Sequence, residues 1–201
     1  MKKTTRLLVL LCLATPASAQ DWSGFYAGGA LGYDSITAND LSYGDGPVDL
    51  NGAGFGLFAG YNIQSGSLVY GVELAAIKHS GEGEDGDFLQ PASALHSLAL
   101  RGRIGFVTGK MLPYLAIGTT RTTWEADHAG NDNPGDLWKD TAKGTSVALG
   151  LDWSLGDKSF LRIEIERTRY GEDQMGFYNG ADPHGYELDA TRVSVGYAMR
   201  F

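Results

Sequence analysis

Apolar and polar residues alternate at period two through most of the chain, the signature of strands whose two faces meet different surroundings. The clearest case is the C-terminal stretch. Val193, Val195, Tyr197, Met199 and Phe201 fall on one face, and Arg192, Ser194, Gly196, Ala198 and Arg200 on the other. Eight segments fit this template, at roughly 24–33, 53–64, 68–78, 97–107, 111–124, 144–155, 159–170 and 190–201. Each has about the 9–11 residues that a tilted membrane-crossing strand needs, some with an overhang. In the second, Phe55, Leu57, Ala59, Tyr61 and Ile63 oppose Gly54, Gly56, Phe58, Gly60 and Asn62. The sixth sets Val147, Leu149, Leu151, Trp153 and Leu155 against Ala148, Gly150, Asp152 and Ser154. In the seventh, Leu161, Ile163 and Ile165 oppose Arg162, Glu164 and Glu166. The fifth is the weakest, because Tyr114 and Leu115 compete for one face. Helical periodicity is scarce, and beyond the N-terminus no segment has the run of about 18 apolar residues of a membrane-spanning helix.

The connections alternate in length. Ser65-Gly66-Ser67, Thr108-Gly109-Lys110 and Gly156-Asp157-Lys158 read as tight hairpins, and between them lie long loops at 34–52, 79–96, 125–143 and 171–189. An even strand number with short turns at one end and long loops at the other predicts an all-β, eight-stranded antiparallel transmembrane β-barrel, with periplasmic turns and four extracellular loops. Such a sheet must close, since hydrocarbon offers no partner to an unpaired edge. A water-soluble barrel would carry its apolar face inside. Here the charged face is also the one rich in Gly and Ala, which suits the narrow interior of eight strands, so the apolar face is assigned to lipid.

Composition agrees with a folded, exported chain. The 201 residues are 43% hydrophobic, too apolar for disorder, and the 29 Gly follow no collagen-like repeat. A net charge of −8 argues against nucleic acid as a partner. Residues 1–19 read as a secretory signal: Lys2, Lys3 and Arg6, a short apolar stretch from Leu7 to Ala14, then Ala17-Ser18-Ala19 as the cleavage site. The barrel domain is then 20–201. Cys12 leaves with the signal, so disulfide and thiolate chemistry are not expected. Acylation of Cys12 is disfavoured, because it lies inside the apolar stretch without small residues before it.

The charges sort by position. Glu73, Asp152, Glu164 and Glu166 share the inferred inner face with Arg101, Arg103, Arg162, Arg192 and Arg200. Buried charges must pair, so these nine are read as a structural ion-pair network plugging the lumen, in preference to a gated ion path. Acid–base catalysis by the paired carboxylates is set aside, because a filled lumen admits no substrate. The four long loops carry eighteen acids against Lys139 and Lys143. The densest run, Gly81 to Asp87, lacks the spacing of a calcium loop, so no metal site is assigned. Parity puts Lys78, Arg121, Lys143, Arg167 and Arg169 on the lipid-facing side near the loop ends, where they are candidates for contact with lipopolysaccharide phosphates rather than only snorkelling to water. Trp22, Phe25, Tyr197 and Phe201 are expected in a periplasmic aromatic girdle. His79, His96, His128 and His184 lie in or beside the loops, and scattered surface positions are preferred over a haem or metal site.

Several stretches resemble the small outer-membrane β-barrel proteins of Gram-negative bacteria. They are closest to the alphaproteobacterial porin-like group, distantly related to the OmpA transmembrane domain. The resemblance rests on Asp21-Trp22-Ser23-Gly24-Phe25-Tyr26-Ala27-Gly28-Gly29 with Gly32-Tyr33, on Leu112-Pro113-Tyr114, on Val147 to Trp153, on Arg162-Ile163-Glu164 and on Val193 to Phe201. It implies an eight-stranded outer-membrane barrel with roles in envelope integrity and surface interaction. It also implies that Phe201 resembles the signal read by the barrel assembly machinery. Some relatives are credited with haemin binding and others with contacts to host or lipopolysaccharide, but no motif for these carries over residue by residue. No cofactor is expected. A cell-wall tether is not expected either, since nothing here resembles a peptidoglycan-binding domain.

Three functions compete. The first is a non-enzymatic structural and surface-interaction barrel whose partners are outer-membrane lipids and lipopolysaccharide. The second is a small solute pore. The third is a lipid A-modifying enzyme, which needs a serine with a nearby base. Ser80 follows His79 and Ser97 follows His96, but neighbours on a strand point to opposite faces, so neither pair works as a dyad. The surface ligand is left open.

Overall fold

The computed structural model describes residues 20–40, 48–80, 82–83, 92–127, 137–171, 173–175 and 184–201. The export signal at 1–19, His128 and most of Gly81–Asp87 lie outside them. Eight long strands are present among the described residues: β1 (Gly24–Asp40), β2 (Val48–Ser65), β3 (Leu68–His79), β4 (Ala92–Phe106), β5 (Met111–Asp127), β6 (Leu137–Gly156), β7 (Ser159–Tyr170) and β8 (His184–Arg200). Each is antiparallel to its chain neighbour. β8 then pairs with β1 from Tyr26↔Arg200 to Asp40↔Tyr186, which closes the sheet and removes both edges. Two short pieces continue the ladder at the loop end. Glu82–Gly83 bridges β2 and β4, and Asp173–Met175 lies against β8.

The strands run further than the apolar alternation predicts. β1 continues to Asp40, β6 begins at Leu137 and β8 at His184. The reason is that the pattern marks only the part of each strand facing hydrocarbon. Beyond it the ladder goes on with polar outward positions such as Ser35, Thr141 and Thr145, which alternate in direction but not in hydropathy. Asp34 therefore leaves the first loop and joins the interior, where it is buried.

The side chains divide as a membrane barrel requires. Leu31, Leu57, Leu74, Leu100, Ile117, Leu149, Ile163 and Val195 are exposed on the outer wall. Arg101, Arg103, Asp152, Arg162, Glu73 and Arg192 are buried on the inner one. At the fifth strand the competition resolves with Tyr114 inward and Leu115 outward. Inward glycines make room for these groups: a Cβ at Gly150 would lie 2.2 Å from Tyr114 Cζ, and one at Gly60 2.3 Å from the Tyr26 hydroxyl. Gly66 and Gly109 occupy the tight turns at φ of 60° and 59°, a conformation that disfavours any residue with a Cβ.

The turn end is sealed by apolar packing. Trp22, Val69, Val107, Leu112 and Phe160 form a buried cluster, with Trp22 and Phe160 edge to face at 5.6 Å. This corrects the girdle assignment of Trp22, which is 1% exposed. Trp22 precedes β1, so strand parity does not govern it. Its amide donates to Gln64 Oε1 at 2.8 Å, and the ring lies beneath the strands. Phe25, Tyr197 and Phe201 do face outward. Just outside this seal the Ser23 amide donates to Asp21 at 2.9 Å and holds that carboxyl below the usual carboxylate range.

The outer wall yields a direct test. Ile163→Arg places a charge mid-strand against lipid and should cost about 2–4 kcal/mol in urea unfolding from detergent or lipid. The same change at Thr145, nearer the loops, should cost less.

Candidate functional site

The interior is a stack of polar layers along the barrel axis. Among the described residues five acids (Asp34, Glu73, Asp152, Glu164, Glu166) and five arginines (Arg101, Arg103, Arg162, Arg192, Arg200) are buried, so the formal charges cancel.

Nearest the turn seal, Asp152 on β6 accepts from two arginines. Arg162 on β7 gives Nε to Oδ1 at 2.8 Å and Nη2 to Oδ2 at 3.1 Å, and Arg103 on β4 gives Nη2 to Oδ2 at 2.6 Å. Glu73 on β3 faces the same pair. It accepts from Arg162 Nη1 at 2.6 Å and from the Tyr26 hydroxyl at 2.7 Å. Aromatic rings stack on the cations: Arg103 lies 3.9 Å over Tyr114 and Arg162 4.3 Å over Phe58. One layer toward the loops, Arg101 donates to Glu73, Glu164 and Glu166, the contact to Glu164 measuring 2.8 Å. Glu164 also accepts from the Tyr114 hydroxyl at 2.5 Å. A cavity of about 30 Å³ remains beside Arg101, Glu166, Arg192 and Ser194, which is room for a water or two.

Two of the nine residues assigned to the lumen network stand apart from this group. Arg192 is held by Asp34, at 2.7 and 2.8 Å to its two oxygens. Arg200 donates instead to main-chain oxygens of Asp21 and Gly156 at 2.7 and 2.6 Å and to Ser154 Oγ at 3.1 Å, with its head over Trp22. It ties the start of the chain to the turn end.

The layer closest to the loops holds what the sequence reading missed. His79, assigned to a loop, points inward. Its Nδ1 lies 2.9 Å from Asp34 Oδ2 and its Nε2 2.8 Å from Ser97 Oγ. Ser97 in turn contacts Thr122 Oγ1 at 2.6 Å, and Thr122 the Tyr170 hydroxyl at 2.7 Å. The adjacent pairs diverge as alternation demands: Ser80 turns out to bond Ala53 O, and His96 is exposed. His79 and Ser97 meet because they come from neighbouring strands with the same parity. Only the β3–β4 register shows this, and it could have been read by aligning the strands across the loop.

On the outer wall Lys78, Arg121, Lys143, Arg167 and Arg169 are all exposed near the loop end. They divide into two groups. Arg167 and Arg169 both reach Asp189, at 3.2 and 3.7 Å. Arg121 and Lys143 are register partners on β5 and β6, one directly opposite the other, and Lys78 lies across from His96. Among the described residues, no carboxylate pairs with Lys78, Arg121 or Lys143.

Removing a member of the lumen network leaves its partners charged and dry. Glu73→Ala should destabilise the barrel by about 3–5 kcal/mol in urea unfolding. Arg167→Ala, whose partner is solvated, should change stability by less than about 1 kcal/mol.

Comparison with known proteins places the chain. Residues 5–201 match the model of the outer membrane protein beta-barrel domain. A 22 kDa outer membrane protein of Rhizobium leguminosarum bv. viciae is 29% identical over 180 residues, covering 89% of this chain and 78% of that one. The 25 kDa outer-membrane immunogenic protein of Brucella abortus is 28% identical over 181 residues, covering 90% and 81%. Among solved structures, Neisserial surface protein A superposes with a TM-score of 0.58 at 16% identity, over 89% of this chain and 98% of that one, which shows the shared fold. With its closed eight-stranded sheet and apolar outer wall, the chain belongs to the outer membrane protein beta-barrel family of the bacterial outer membrane.

Proposed function

We propose that this protein is a non-enzymatic barrel that contributes to envelope integrity and surface interaction, with a plugged lumen and a rim that contacts lipopolysaccharide. The observation that carries the lipid contact is the Arg121–Lys143 pair. Like charges directly opposite on adjacent strands repel, and here they stand side by side on the outer wall at the loop end. An anion seated between them turns that repulsion into attraction. Lys78, two strands away on β3, extends the same positive face. Lipopolysaccharide phosphates are anions of the outer leaflet, and Lys and Arg near a membrane end are suited to meet such groups.

The filled interior supports a structural role over solute passage. Crossed arginines and carboxylates occupy the axis from Asp152 to Glu166. Phe201, exposed at the end of β8 and bonded through its amide to Phe25 O at 2.9 Å, is the residue proposed to be read by the assembly machinery during biogenesis.

Replacing Lys78, Arg121 and Lys143 together by Ala should lower the lipopolysaccharide phosphate that co-purifies with the barrel several-fold. Replacing Arg167 and Arg169, already engaged by Asp189, should lower it less. Unchanged bound lipid in the triple variant overturns the lipid contact.

A further inference from the structure

The layer at the loop end links six strands through side chains. Arg192 on β8 holds Asp34 on β1, Asp34 holds His79 on β3, and His79 contacts Ser97 on β4. Ser97 contacts Thr122 on β5, and Thr122 contacts Tyr170 on β7. The Arg192 guanidinium also donates to the Gly54 carbonyl of β2 at 3.2 Å, so seven of the eight strands meet in one hydrogen-bonded girdle.

The order Asp34–His79–Ser97 is that of a hydrolase triad. Its surroundings argue for another use. The Asp34 carboxylate is already bound by Arg192 on both oxygens, which spends the charge that would support an imidazolium. Ser97 is 3% exposed, with its hydroxyl enclosed by Thr122 and Tyr170. The water-sized cavity among the described residues is lined by Arg101, Glu166 and Arg192 and not by Ser97.

With the ring neutral, the partners of His79 set an order of donors and acceptors. Asp34 is an acceptor, so Nδ1 of His79 carries a hydrogen, and in the neutral ring Nε2 must then accept. Ser97 gives its hydrogen to that nitrogen. Its oxygen accepts from Thr122, and Thr122 accepts from Tyr170. Once the ring takes a second proton, Nε2 becomes a donor. Ser97 must then turn its hydrogen away from His79, toward Thr122 or Tyr170, both of which it contacts.

The charged and titratable groups around His79 are Asp34 on β1, Arg192 on β8, and Tyr170 and Glu166 on β7. β2 presents the Gly54 backbone, and β4 and β5 present the hydroxyls of Ser97 and Thr122. On its own strand Lys78 points outward. With a neutral ring the Asp34–Arg192 pair leaves the layer at zero net charge, and a proton on His79 makes it +1. Histidine is the side chain whose charge changes between pH 5 and 8.

We propose that His79 makes the extracellular mouth of the barrel a proton-responsive layer. Acidification turns the layer from neutral to cationic and swings the Ser97 hydroxyl toward Thr122 and Tyr170, which carries the change from β3 to β5 and β7. No bond of the girdle is lost in either form, so the barrel stays closed while its entrance gains one positive charge. This stands apart from the lipid contact, which uses the outer wall.

The test is a pH titration by NMR of the whole barrel in detergent micelles, with labelled histidine, threonine and tyrosine. The Tyr170 ring and Thr122 methyl signals should move with the same midpoint as the His79 ring nitrogens. His79→Gln should abolish the movement. Ser97→Ala should leave His79 titrating while Tyr170 no longer follows it, which keeps the test decisive even if the His79 variant folds poorly. A His79 ring whose nitrogens show no protonation step overturns the proposal. So does a Tyr170 signal that stays still, or one that follows His79 equally in the Ser97 variant.

Discussion

Hydrocarbon supplies no hydrogen-bond partner, and the rest of this structure follows from that constraint. Every strand must be paired on both sides, so the sheet closes through β1 and β8. Closure of eight strands leaves an interior with room for side chains only. Because the apolar residues are committed to the outer wall, what fills that interior is polar. Being polar and dry, it has to satisfy itself.

The interior does so in three ways, layer by layer. At the turn end the solution is apolar, with Trp22 and Phe160 packed beneath Arg200. In the middle it is ionic. Glu73 and Asp152 cross-link arginines from opposite walls, and Tyr26 and Tyr114 serve both as hydroxyl donors and as faces for the guanidinium groups. At the loop end it is a chain of neutral hydroxyls ending on one histidine and one ion pair. Removing a single partner in the middle layer strands charges that cannot reach water, whereas the hydroxyl layer can redirect its hydrogens without losing a bond.

The outer wall follows a different logic. Near the loop end its charges are solvated, and Arg167 and Arg169 find Asp189. Arg121 and Lys143 are held opposite each other by register alone. A sheet tolerates such a pair where something outside the chain neutralises it. Under the proposed function, that connects strand register to the choice of surrounding lipid.

The sequence alone determined the fold class, the strand number, the alternation of turns and loops and the face of nearly every charged residue, because period-two alternation is a local property that survives without knowledge of partners. It placed Glu73, Arg101, Arg103, Asp152 and Arg162 on the inner wall and Lys78, Arg121 and Lys143 on the outer one. Only the tertiary structure decided who meets whom. Trp22 precedes the first strand, so alternation said nothing of it. Asp34 and His79 lie past the apolar part of their strands, where hydropathy no longer reports direction. The contact of His79 with Ser97, and of His79 with a carboxylate 45 residues away, depends on strand register and barrel closure. Those are set by hydrogen bonds between segments distant in the chain, which no single stretch of residues encodes.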